Sequence, residues 1–212
     1  MNNANQQHKS NLIKVLVKFV PELASPLCAD LIMQYNLHLH IEAARKSKYG
    51  DYAPHLGKGN RITVNHNLSK FDFLITFIHE VAHHITYLKY GPRHNAHGAE
   101  WKQEFKLCMH PFLMADIFPY DLKAAIAKHM QNPKYSHAAD LNLLKVLRKY
   151  DDKTPDKLVL DNLKQGSLFK LKDSSVVMEK QHKLRTYYYC IDIISKKAYR
   201  VHAMAEVEQV GI

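Results

Sequence analysis

The stretch from Ser69 to Gly91 constrains the fold of this chain more than any other. Leu74, Ile78, Val81, Ile85 and Leu88 recur at helical spacing, Ser69 with Asp72 three residues on resembles a capping box, and Gly91-Pro92 ends the pattern. These signals predict a long amphipathic helix whose apolar stripe faces a core. His79, Glu80 and His83 stand in its middle. Residues four apart lie on one helix face one turn apart, so the two imidazoles can converge on one metal ion while Glu80 aims at a water on its open side. Neutral imidazole suits zinc, and three protein ligands with one open position make a catalytic rather than a structural site.

A third ligand must come from further along the chain. Gly91-Pro92 turns the backbone, which allows His97 to return toward the pair on the next helix or just before it. A carboxylate from the following helix, Glu100 or Glu104, is the alternative. The metzincin pattern is excluded, because Thr86 and Lys89 occupy the places where it requires Gly and His. His84 and His94 read as surface histidines or as groups that support the ligands, and Trp101 and Phe105 as packing under the site.

His79-Glu80-Val81-Ala82-His83, thirteen residues, then His97-Gly98-x-Glu100-Trp101 resembles the SprT-like metalloproteases. Relatives of that family include the Spartan proteases, which cut proteins crosslinked to DNA. The resemblance implies that His79, His83 and His97 hold one catalytic zinc ion, that Glu80 is the catalytic base, and that the substrate is a protein. Many bacterial relatives carry a cysteine-ligated zinc ribbon in the tail. Here Cys28, Cys108 and Cys190 form no C-x-x-C pair, so a second, structural zinc is not expected.

The surrounding sequence reads as α+β: a zincin-like metalloprotease core over 1–153 and a small C-terminal antiparallel β domain over 154–212. After nine polar, frayed residues, helical patterns cover 10–20 and 25–35, and 37–41 alternates as a strand. A glycine- and proline-bearing loop or hairpin end over 46–60 leads to a strand at 61–65. A strand edge beside the motif helix can hold an extended substrate by β-addition. Beyond the motif come helical stretches at 100–109, 121–130 and 139–150, then β-branched or aromatic runs at 168–171, 175–178, 184–194 and 198–207. Lys14 and Lys18 interrupt the apolar run 12–20, which excludes a membrane span or signal-peptide core, and three scattered cysteines fit a cytoplasmic protein.

Charge supplies a second clue. Lys and Arg number 30 against 20 Asp and Glu, a formal net of +10, which favours a polyanionic partner such as DNA. Between Lys164 and Arg200 nine basic residues face three acidic ones, a net of +6. Lys183, Arg185, Lys196, Lys197 and Arg200 are the candidate nucleic-acid contacts, with Tyr187, Tyr188 and Tyr189 as stacking partners for bases. Two function classes follow: a zinc endopeptidase acting on proteins at DNA, or a nucleic-acid- or protein-binding module that keeps the fold with weak or no catalysis. Glu80 favours the enzyme, since a binding module has no physical need for a carboxylate beside two metal histidines. A donor for the developing oxyanion is sought among His94, Tyr87 and Tyr90.

Overall fold

The computed structural model describes residues 3–45, 47–54, 60–151, 157–172 and 174–211. They group into two compact units, Met1–His137 and Ala138–Ile212. The expected domain boundary at 153/154 lies outside the described residues, and the division falls earlier because 138–151 group with the C-terminal unit.

The first unit contains helices α1 (Asn3–Leu16) and α2 (Ser25–Gln34), strands β1 (Leu37–Glu42), β2 (Gly50–Ala53) and β3 (Asn60–Asn65), and helices α3 (Lys70–Tyr90), α4 (Ala99–Met114) and α5 (Tyr120–Gln131). The nine polar residues expected to fray are helical from Asn3 onward. The stretch expected as loop contains β2, the edge strand of a sheet ordered β1-β3-β2. β1 runs parallel to β3, and β2 antiparallel to it with Tyr52 opposite Ile62. Ile62 and Val64 of β3 are fully buried.

α3 begins and ends as its sequence predicts. Ser69 caps it, its Oγ accepting from the Asp72 amide at 3.2 Å and donating to Asp72 Oδ2 at 2.6 Å. At the other end Gly91 takes φ 71°, a conformation that glycine adopts without a Cβ penalty. The single apolar stripe is corrected. Phe73, Ile75, Phe77 and Ala82 are buried along with Leu74, Ile78, Val81 and Ile85, whereas Leu88 is 57% exposed. A helix apolar nearly all round is a central core helix, and α3 packs both on the small sheet and on α4. None of the described helices is long and apolar enough to cross a membrane.

The second unit contains α6 (Leu141–Arg148) and a five-stranded antiparallel sheet of β4 (Leu168–Leu171), β5 (Val177–Lys183), β6 (Tyr187–Asp192), β7 (Ala198–His202) and β8 (Val207–Gln209), in the order β7-β6-β5-β4-β8. The run 184–194 is therefore a hairpin turn followed by β6 rather than one long strand. One face packs around Leu160, Phe169, Met178, Tyr188, Cys190 and Val201. α6 joins this unit because Leu141 packs against that cluster and Arg148 donates to the Met204 carbonyl at 2.6 Å. Lys180 points into the same core, where its amine donates to the carbonyls of Leu160 at 2.8 Å and Leu163 at 2.5 Å.

Candidate metal centre

His79 and His83 project from consecutive turns of α3, and His97 reaches them from the turn just before α4. Their Nε2 atoms form a nearly equilateral triangle with sides of 3.1, 3.1 and 3.3 Å. Tetrahedral zinc with Zn–N bonds of about 2.0–2.1 Å separates its nitrogen ligands by about 3.3–3.4 Å. The triangle fits such an ion with adjustments of a few tenths of an ångström at most.

Protonation favours the same use. Burial and the repulsion of His83 and His97 hold His79 well below the usual imidazole range. Burial, then His97 and His94, brings His83 down to about 3, and burial lowers His97. All three rings are therefore neutral at pH 7, with lone pairs free for a cation. Trp101, fully buried, backs the triangle with ring centroids 4.6 Å from His79, 5.3 Å from His83 and 4.7 Å from His97, and Phe105 stacks behind it at 5.0 Å.

Residues 32–123, which contain the whole triangle and Glu80, match the model of the SprT-like family. Over these residues the chain is similar to the SprT-like family. No curated protein and no solved structure matches the chain. The C-terminal sheet lies outside the SprT-like segment.

Glu80 is buried, and its carboxyl is pushed up to about 8 by that burial and by Asp51, against the pull of Lys48, Arg45 and a hydrogen bond from the Tyr52 backbone. β2 passes very close to it. A Cβ at Gly50 would lie 2.7 Å from Glu80 Oε1 and 2.7 Å from Thr76 Cγ2, so only glycine admits the strand at this distance. The SprT-like segment thus places the edge strand β2 directly against Glu80.

Of the alternative ligands, Glu104 is directed at Lys89, from which its oxygens accept at 2.9 and 2.8 Å, and it is not grouped with the three histidines. Glu100 sits at the start of α4 against Gly98. His84 is buried rather than superficial, between the rings of Tyr35 and Tyr52, with its Nδ1 3.2 Å from the Tyr52 hydroxyl. His94 contacts the Gly91 carbonyl at 2.6 Å and lies close enough to His83 to lower it. Tyr87 packs on Tyr52 at 6.2 Å, and Tyr90 is 46% exposed in the last turn of α3. Sequence reasoning missed Gly50, Tyr52 and Asp51. It also missed Tyr135, exposed with its ring 6.4 Å from that of His97. The only available signal was the short alternation after Gly50, too brief to separate from a loop.

The five candidate nucleic-acid residues are not gathered in one patch. Arg185 is exposed in the β5–β6 turn and Lys196 and Lys197 in the β6–β7 turn, at opposite ends of β6 and about 20 Å apart. Arg200 lies on β7 with its guanidinium 5.9 Å from the Tyr187 ring. Lys183 is paired with Asp161 at 2.7 Å. The three tyrosines divide: Tyr188 faces the core and donates to Asp161 at 2.8 Å, while Tyr187 and Tyr189 take the outer face beside His202 and His182.

Proposed function

We propose that the chain is a zinc-dependent endopeptidase. The observation that carries this reading is the triangle of three neutral Nε2 atoms beside a buried carboxylate under the edge of a sheet. His79, His83 and His97 would hold the ion in a zincin-like core. When bound, zinc supplies Lewis-acid polarisation of the scissile carbonyl and of the attacking water. Glu80 takes the proton of that water and delivers it to the leaving amine. A divalent cation beside it would draw this carboxyl down from the value to which burial raises it, toward the ionised form that a general base requires. Among the described residues β2 is an edge strand, and its outward backbone groups other than the Tyr52 amide that donates to Glu80 would offer hydrogen bonds to an extended substrate segment without demanding a particular sequence.

A protein substrate associated with or crosslinked to DNA is the finer part of this proposal. It is supported by the net charge of +10, by the exposed Arg185, Lys196, Lys197 and Arg200, and by the outer-face rings of Tyr187 and Tyr189. The deciding experiment measures zinc content and cleavage of a DNA-binding protein, with and without DNA, for the wild type and Glu80→Gln. One zinc per chain in both proteins and a loss of proteolysis of at least about 100-fold in the variant are expected. Unchanged proteolysis in Glu80→Gln defeats the mechanism.

A further inference from the structure

Ile85 follows His83 by two residues and so points about 200° around α3 from it. On that side a cavity of about 330 Å³ opens between α2, α3 and α4, within the roughly 300–1,000 Å³ range of small-molecule sites. Leu27 and Leu31 of α2, Ile85 of α3 and Phe112 of α4 give it apolar walls. Tyr35, Lys89, Glu104 and Cys108 meet at its polar end, and Asp30 and Gln34 of α2 also line it.

The hydrogen-bonding capacity of that end is unbalanced. Glu104 is only 3% exposed, and Lys89, half exposed, gives it one donor per oxygen. An ionised carboxylate offers about four acceptor sites, so about two remain. Pro111 adds to the imbalance: it has no N–H, so the Leu107 carbonyl one turn earlier loses its helical donor, and both residues line the cavity. The Cys108 thiol, pushed up to about 12 by burial and by Glu104, stays neutral and adds no competing charge. With Asp30 and Glu104 against Lys89 the charged side chains of the lining are net negative, and apolar walls with such a lining match a ligand with an apolar body and a donor-only, positively charged head.

We propose that this cavity binds a small organic ammonium ion, its amine on Glu104 beside Lys89 and its apolar body against Leu31, Ile85 and Phe112. The site is separate from the histidine triangle and does not depend on the peptidase reading.

Calorimetric titration of the full chain with 2-phenylethylammonium, against 2-phenylethanol and 3-phenylpropanoate as neutral and anionic counterparts, tests it. The ammonium should bind one per chain and at least about tenfold more tightly than the alcohol, with the carboxylate weakest. Glu104→Gln should weaken it by about tenfold or more. Lys89→Met should tighten it, because that change removes the competing cation from Glu104. An amine can also ligate zinc, so the titration is repeated on His97→Ala and on metal-stripped protein, where the affinity should be unchanged. Equal affinity for the three probes, no binding at millimolar concentration, or loss of binding in His97→Ala overturns the proposal. If Glu104→Gln fails to fold, Lys89→Met decides alone: weaker or unchanged binding there refutes the assignment.

Discussion

Gly50→Ala tests the contact between β2 and Glu80 most directly. The added methyl carbon would lie 2.7 Å from Glu80 Oε1, 2.7 Å from Thr76 Cγ2 and 2.9 Å from Glu80 Cγ, whereas ordinary contact begins at 3.4 Å. Either the carboxylate or the strand must therefore give by about 0.7 Å. Thr76 cannot yield easily, since it is 4% exposed on a helix packed on both sides. Glu80 can swing, but only by leaving the Tyr52 backbone donor that holds it. Misplacement of a catalytic group by about 1 Å costs on the order of 100-fold in rate, so kcat should fall roughly 10- to 100-fold. Overpacking should cost about 1–3 kcal/mol of stability. Zinc content should not change, because the three histidines lie on α3 and on the turn before α4 rather than on β2. Peptide cleavage, metal analysis and thermal melting of the same preparation read the three effects separately. A variant with wild-type kcat would refute the claim that β2 positions Glu80, and one that loses its zinc would show that the strand supports the ligands.

Other perturbations reach the remaining parts of the molecule. His97→Ala should lower zinc occupancy severely while leaving α3 folded, as read by metal analysis and circular dichroism, since two ligands do not hold a tetrahedral site; full retention would return the ligand role to Glu100. In the C-terminal unit, burial would raise the Asp161 carboxyl, but hydrogen bonds from Lys145, Lys183 and Tyr188 outweigh it and hold it well below the usual carboxylate range. A depressed folded pKa means that this stabilisation is present above the ordinary carboxylate pKa of about 3.9 and is lost as pH falls through the folded value. Denaturant melts should therefore show that Asp161→Asn destabilises the chain at pH 7 and much less at pH 2; an equal effect at both would refute the ion-pair account. Charge reversal at Arg185, Lys196 and Lys197 should weaken DNA binding and flatten its dependence on salt by about 0.9 in logarithmic slope for each duplex phosphate that is no longer neutralised. An unchanged salt titration would remove those residues from any role at DNA.

Most of the three-histidine cluster was legible because its information is local. The spacing of His79 and His83 is a property of one helix, and that helix is announced by its own cap, its periodicity and its terminating glycine. His97 was legible for a related reason: a turn at Gly91-Pro92 returns the chain within a few residues, so little tertiary information is needed to bring it back. Leu88 shows the limit of periodicity. It keeps the spacing of the stripe, yet it lies in the final turn, beyond the neighbours that bury Leu74 through Ile85. The role of Gly50 was not legible, because it depends on how near a strand passes to a helix 30 residues away in sequence.

The C-terminal unit shows why a charge count and a residue cluster are weaker evidence than a motif. A net charge of +6 treats every lysine alike, but Lys180 is drawn inward to cap two buried carbonyls and Lys183 is paired with Asp161, so neither is as free for a polyanion as the count assumes. Three consecutive tyrosines look like one aromatic platform in sequence. On a strand, however, successive side chains point to opposite faces. Two tyrosines must share a face and the third must oppose them, and which arrangement places the pair outside is set by the register of β6 between β5 and β7, with Tyr188 opposite Val201 and Cys190 opposite Lys180. That register puts the phenol of Tyr188 onto Asp161, where it helps hold the core. Of these three tyrosines only Tyr187 and Tyr189 are therefore placed to meet bases, a pair flanked by His202 and His182 rather than by the lysines that dominate the charge of the tail.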